Sequence, residues 1–234
     1  TEEQKKTHIP SLISGEVSWC QLFSEPGAGS DLAGLATRAE LDGEEFVIHG
    51  QKVWNSAAIY ADMGILLVRT NPDAYKHEGI TFLLFDMKQR GVEVRPLIQA
   101  NGAGHFAEVF IDGAKCHVSN VLGEVDKGWG PARAVMSNES AMIGGASGDN
   151  PQQLIQLAQG LGKVDDPVIR QKLVAAYVRN KLLKIMSEKI SAAVRKGKPP
   201  PIHPSIVKLY VAHIRRLEGD LAQCLLGAAG VVVT

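Results

Sequence analysis

Trp19-Cys20-Gln21-Leu22-Phe23-Ser24-Glu25-Pro26-Gly27-Ala28-Gly29-Ser30-Asp31 is the stretch from which the rest of the sequence can be read. A half-apolar run arrives at a Pro-Gly-x-Gly turn and leaves through Ser-Asp. Gly27 and Gly29 are expected to allow φ > 0 and to bring backbone N–H groups against a flat or charged ligand. Ser24 and Ser30 add hydroxyls on either side of the turn. Alone, the stretch reads equally as an ordinary strand end and turn. It is not a dinucleotide fingerprint, because a third glycine is missing at the required spacing.

Outward from it, Arg38 to Gly50 reads as a β-hairpin around Asp42-Gly43, with Phe46-Val47-Ile48 as strand formers. A hairpin here also contradicts a βαβ unit. Further strands are expected at Gly64–Thr70, Ile80–Asp86, Val92–Leu97, Ala107–Ile111 and Lys115–Val118, the last two separated by a turn at Asp112-Gly113. Short strands at such intervals, with no helices between, indicate an antiparallel sandwich or barrel.

After Gly128 the period becomes helical. Helices are expected from Pro131 to Ser147, from Pro151 to Leu161, from Asp166-Pro167 to Gly197, and from Pro204-Ser205 to Gly227. The third carries Ile169, Leu173, Leu182, Ile185, Met186 and Ile190. The last carries Ile206, Leu209, His213, Leu217, Leu221, Cys224 and Leu225 on one stripe, with His213 as a core histidine. Thr1 caps a short helix that Pro10 and Gly15 limit. The fold class is therefore α+β and multi-domain: an antiparallel β-sandwich or barrel followed by an antiparallel α-helical bundle.

A second segment, Gln51-Lys52-Val53-Trp54-Asn55-Ser56, follows the first at about thirty residues. In this order and at this spacing, the two resemble the paired signatures of the acyl-CoA dehydrogenase family. The resemblance implies an end of an N-terminal helical domain over 1–14, a middle β-domain over 15–127 and part of a C-terminal helical domain over 128–234. It implies FAD as cofactor, with Gln21, Phe23 and Ser24 lining the isoalloxazine, Gly29 in the same turn, and Ser30 reaching flavin or substrate. Trp54 would lie against the flavin and Ser56 would give its ring a hydroxyl. The structural alternative for Trp54 is plain packing. Where Gln21 stands the family often has an aromatic, and where Ser24 stands, threonine.

Glu139 sits among Val135, Met136, Met142 and Ile143 at helical spacing. An acid in an apolar stripe is costly to ionise, which suits a general base that removes a proton α to a thioester carbonyl. A buried glutamate paired with an arginine such as Arg133 is the alternative. By resemblance Glu139 occupies one of the family's two positions for the catalytic base, with Asn138 on the substrate side. The family usually follows this glutamate with arginine, where Ser140 stands. Its Arg-x-x-Phe-Gly segment has no match between Asp149 and Asp166. These departures point to a divergent branch of the kind common in bacterial sterol or lipid degradation.

The implied function is FAD-dependent α,β-dehydrogenation of an acyl-CoA, with electrons passed to an electron-transfer flavoprotein and subunits assembled as homo- or hetero-oligomers. Two rival readings are a non-catalytic subunit of an unlike pair and a dehydrogenase-like flavoprotein that binds DNA. The latter needs a basic surface from Arg179, Lys181, Lys184, Lys189, Arg195, Lys196 and Lys198. With 25 basic and 25 acidic residues, the balance argues against nucleic acid or an anionic membrane. Cys20, Cys116 and Cys224 form no CxxC pair and His77 has no second ligand nearby, so no metal site is expected. Unpaired cysteines favour a reducing compartment, and the resemblance to a bacterial branch implies a bacterial cytoplasm. No apolar run is long enough to span a membrane and no leader is evident. The apolar end, Val231-Val232-Val233, reads as a place where more chain would follow.

Overall fold

The computed structural model describes residues 1–145 and 150–231, and the side chains of 140–150, 204 and 231 lie outside what is described. The chain divides into two compact units, Thr1–Ala134 and Val135–Thr234. This division falls inside a helix.

The first unit opens with α1 (Glu2–Ser14), capped by Thr1 and Gln4 in a reciprocal capping box and ended by left-handed Gly15. Pro10 lies within the helix instead of limiting it. Gln4 Nε2 donates to the carbonyls of Ser119 and Val121 at 2.8 and 3.0 Å, which ties α1 to the chain that leaves the sheet.

Seven strands follow: β1 (Trp19–Leu22), β2 (Arg38–Asp42), β3 (Glu45–Ser56), β4 (Met63–Arg69), β5 (Ile80–Asp86), β6 (Val92–Leu97) and β7 (Phe106–His117). They form one sheet in the order β1-β4-β2-β3-β7-β6, with β5 on the other edge of β4. The sheet is mixed rather than wholly antiparallel, because β1 and the start of β2 run parallel to β4. Cys20, Leu22, Ile48, Leu66, Phe85 and Val109 meet in its core. Every residue of β5 but Asp86 is buried, as a strand covered on both faces requires.

Two bulges shape β3. Ile48 pairs with Ala114 and His49 with Asp112, so Gly113, at φ 70°, is an extra residue on β7. The expected turn at Asp112-Gly113 is thus a bulge within one long strand. Further along, Lys52 pairs with Val109 and Asn55 with Ala107, which leaves the extra residue on β3 at Trp54.

The second unit begins within α2 (Trp129–Gly145) and continues with α3 (Asn150–Gly160), α4 (Pro167–Arg195) and α5 (Pro204–Leu226). Asp166 caps α4 by accepting from the N–H groups of Val168 and Ile169, with Pro167 in the first turn. Leu173 packs near Leu221 and Leu225, while Leu183 packs near Val207 and Ile214, so α4 and α5 are antiparallel.

The buried stripes differ from those expected. On α4 it runs through Leu183, while Leu182 and Ile185 are exposed. On α5 it runs Val207, Ile214, Glu218, Leu221, Leu225, about 100° per residue again but rotated from the expected line. His213 is exposed, not a core histidine. Glu218 takes its place as the buried polar group, held by Asn180 Nδ2 and an Arg215 guanidinium nitrogen, each at 2.8 Å. Among the described residues no helix is long and apolar enough to cross a membrane.

Candidate functional site

Three links bind the 19–31 segment to the end of β3. The Val53 N–H donates to the Ser24 carbonyl at 2.9 Å. Asn55 Nδ2 donates to the Gln21 carbonyl at 2.8 Å. Lys52 Nζ donates to the Phe23 carbonyl at 3.1 Å and to Glu25 Oε1 at 2.8 Å. Gln21, Phe23 and Ser24 are thereby fixed alongside Lys52 to Asn55.

The side chains near that seam fall into two groups. Phe23 is 3% exposed, with its ring edge-on to Phe82 at 5.6 Å. Its ring is therefore packed in the core, while its carbonyl lies at the seam, held by Lys52. Gln21 and Ser24 are half-buried, and Gly29, Ser30, Trp54 and Ser56 are exposed. No hydrogen bond among the described residues engages the side chains of Gln21, Ser24, Ser30 or Ser56.

Trp54 is the least relaxed of these residues. Its φ is 62°, a left-handed value that costs a bulky L-residue roughly 1–2 kcal/mol. The bulge in β3 holds it there, 61% exposed, with the ring edge-on to Phe106. A large apolar ring both strained and uncovered is a pattern found at binding sites more than in packing. Beside it, Asn55 Oδ1 is buried with no partner.

The turn of the first segment closes by reciprocal bonds between the backbones of Glu25 and Ala28, at 2.9 and 3.0 Å. Neither Gly27 nor Gly29 has a positive φ, contrary to expectation, and a Cβ on either would meet nothing within 4 Å. Neither backbone conformation nor crowding within the chain demands glycine at these two positions, and the backbone there is exposed. Lys76 Nζ meets Asp31 at 3.1 Å on the far side of the turn, and exposed His77 lies 4.7 Å from the Trp129 ring. His77 is a surface loop residue as expected, and among the described residues no group of acids, cysteines and histidines could hold a metal.

Glu25 and Lys52, to which sequence reasoning assigned no role, form a buried ion pair at this seam. Lys52 is completely buried and Glu25 nearly so. Burial pulls the Lys52 ammonium down to about 8, against the attraction of Glu25. Burial alone would raise the Glu25 carboxyl; Lys52, Thr37 and the Ala36 N–H together bring it below its ordinary value. The signal was present in β3, where alternation from Phe46 and Ile48 places residue 52 on the inward face.

In the second unit, α2 carries Glu139 half-buried, with half-buried Val135 and Met136 one turn before it, and exposed Asn138. Met142 and Ile143, the other half of the expected apolar surround, have side chains outside the described residues, as does Ser140.

Comparison with known proteins gives matches along nearly the whole chain. The family model "Acyl-CoA dehydrogenase, middle domain" matches residues 20–114, and "Acyl-CoA dehydrogenase, C-terminal domain" matches residues 126–234. Acyl-CoA dehydrogenase FadE34 of Mycobacterium tuberculosis is 38% identical over 99% of this chain and 33% of its own length. Acyl-CoA dehydrogenase IpdE1 of the same organism is 34% identical over 100% of this chain and 61% of its own. Thus the chain spans about a third of one curated relative and three-fifths of the other.

Among solved structures, the "Tcur3481-Tcur3483 steroid ACAD" is 31% identical with a TM-score of 0.90, covering 100% of this chain and 61% of that one. The ChsE4-ChsE5 complex of Mycobacterium tuberculosis is 28% identical with a TM-score of 0.83, covering 99% and 62%. Two models of one family, which leave only the first residues and a short linker unmatched, and full-chain relatives above 30% identity agree with the paired segments at β1 and β3: this chain belongs to the acyl-CoA dehydrogenase family.

Proposed function

We propose that the protein containing this chain is an FAD-dependent acyl-CoA dehydrogenase that introduces an α,β double bond into a lipid-derived thioester. The observation that carries this reading is the seam between the two segments, with an exposed left-handed Trp54 and open glycine backbone beside it. The residues fit a flat ring bearing hydrogen-bonding groups. Trp54 offers a face, while Gln21, Ser24 and Ser56 have uncommitted polar atoms. Asn55 Oδ1 is an orphan acceptor.

The flavin, when bound, supplies the two-electron acceptor for hydride leaving the β-carbon. The chain's own part is to hold that acceptor between Trp54 and the 21–30 segment and to exclude water from it. Glu139 takes the proton from the α-carbon, and as that C–H bond breaks its electrons become the new C=C bond. A half-buried carboxylate flanked by half-buried Val135 and Met136 is the chain's candidate for that task. Ser30 and Asn138 are proposed to contact substrate. Reoxidation falls to an electron-transfer flavoprotein, as in the family.

A steroid-derived acyl group is the substrate class we favour, because one structural relative that covers the whole chain, at 31% identity, is a steroid ACAD. The test is the visible spectrum of the purified full-length protein, followed by anaerobic bleaching with a panel of fatty and steroid side-chain CoA esters. A yellow protein bleached by at least one ester is expected. A colourless protein that takes up no FAD would end the reading. Glu139→Gln should keep the spectrum and lose turnover by ~1,000-fold, the usual worth of a positioned base. Unchanged turnover would assign the base elsewhere.

A second reading draws on the structural relatives that are named as pairs of unlike chains, Tcur3481-Tcur3483 and ChsE4-ChsE5. In it, this chain is one half of an unlike pair and turns over only with its partner. Assaying the protein alone and with the product of its neighbouring gene separates the two.

A further inference from the structure

The Glu25–Lys52 pair is out of place on energetic grounds. It lies entirely within the sheet unit, with side-chain exposures of 7% and 0%. Desolvating two charges costs about as much as their attraction returns, so an apolar pair of similar volume would serve stability as well or better. What the pair does supply is connection. Glu25 accepts from Lys52 Nζ, from the Ala36 N–H at 2.6 Å and from the Thr37 N–H at 2.9 Å. Lys52 also holds the Phe23 carbonyl. Four stretches of chain therefore converge on two side chains: the Pro26-Gly27 turn, the strand end at Phe23, the entry to β2, and β3 itself. Gly50 allows this approach, because a Cβ there would come within 2.4 Å of Thr37 Oγ1 and 2.7 Å of the Thr37 Cα.

We propose that Glu25 and Lys52 are positioning residues, whose buried bond sets the spacing between the glycine turn and Trp54 and thereby the affinity for the flavin. The inference rests on the flavin reading above. Neither side chain touches the cofactor in this scheme. Lys52 lies two residues from Trp54, and Glu25 adjoins Ser24 and closes the turn that contains Gly27. Loss of the bond frees the turn from β3 at one of its three links, and the ring-binding faces lose their fixed separation. The position of a binding surface is what a rigid, directional contact controls and an apolar contact does not.

The test compares the full-length protein with its Glu25→Gln/Lys52→Met double variant, which removes both charges together and strands neither. Circular dichroism and thermal unfolding of the apoproteins are expected to agree closely. FAD affinity, measured by fluorescence quenching at pH 7, is expected to fall at least tenfold, with the vibrational shoulders of the bound-flavin spectrum flattened. A folded double variant with wild-type affinity and spectrum overturns the inference.

Should the double variant fail to fold, the wild-type pH profile decides. Lys52 loses its proton near 8 in the folded protein and near 10.5 in the unfolded chain. The unfolded chain thus holds more protons between those values, and Lys52 makes the fold more stable as pH rises. Arg69 of β4 is the other cation that feels Glu25 and stays charged throughout. Flavin affinity should weaken severalfold from pH 7 to 9 while thermal stability does not fall; a flat affinity overturns the inference. A wild-type protein that binds no flavin at either pH would instead sink the flavin reading, and this one with it.

Discussion

Single residues carry different burdens in the two units. Trp54 was singled out in the sequence because it stands in the second of the two paired segments, between Val53 and Asn55. Its left-handed backbone was not legible, since the bulge that produces it depends on the register of β7. Glu139 was singled out by its spacing to Val135 and Met136, and all three are half-buried on one helix. Glu25 and Lys52 stood in plain view inside the two motifs, yet a charge in a motif suggests solvent or ligand before it suggests a partner thirty residues away. The cysteines allow a prediction at this scale. Burial pushes the Cys20 thiol up to about 12 and the Cys116 thiol up to about 11, far from the thiolate form at pH 8. Cys224 is exposed beside Lys172 Nζ at 3.3 Å. Iodoacetamide at pH 8 followed by peptide mapping should label Cys224 alone of these three, and all three only after denaturation.

Elements were read well where their determinants are local. The Asp166-Pro167 cap, the Asp42-Gly43 hairpin and the starts of α4 and α5 each rest on a few adjacent residues. The orientation of α5 was missed because two neighbouring stripes are both apolar. Only packing against α4 decides between them, and it selects the one that buries Glu218 with Asn180. Glycines separate structural from ligand-directed roles. Gly79→Ala would force φ +70° on an alanine and put its Cβ 2.3 Å from the Asn71 carbonyl, so it should cost about 3 kcal/mol in urea unfolding. Gly29→Ala meets no atom and should leave stability within about 0.5 kcal/mol, while weakening flavin binding in the same preparation. An unaltered flavin affinity would remove the turn from the site.

At the scale of the molecule, the change from period two to period 3.6 near Gly128 sufficed for the α+β class. Parallel pairing of β1 with β4 could not be foreseen, because strands joined through two others leave no local trace. The two units offer a direct experiment. Trp19, Trp54 and Trp129, the chain's 3 tryptophans, all lie in the first, whereas most of the helix lies in the second. Urea unfolding followed by tryptophan fluorescence and by far-ultraviolet circular dichroism should give midpoints that do not coincide; coincident curves would mean a single cooperative unit.

The parallel β1–β4 pair also orders events at the ribosome. Trp19 to Leu22 find their partners only at Met63 to Leu66, so the first motif emerges well before the strand that fixes it. A nascent chain stalled short of that point leaves the Gly27–Gly29 turn attached to an unpaired strand. Any ligand that needs this turn in its final place, as the proposed flavin would, can be taken up only after Met63 to Leu66 have been made.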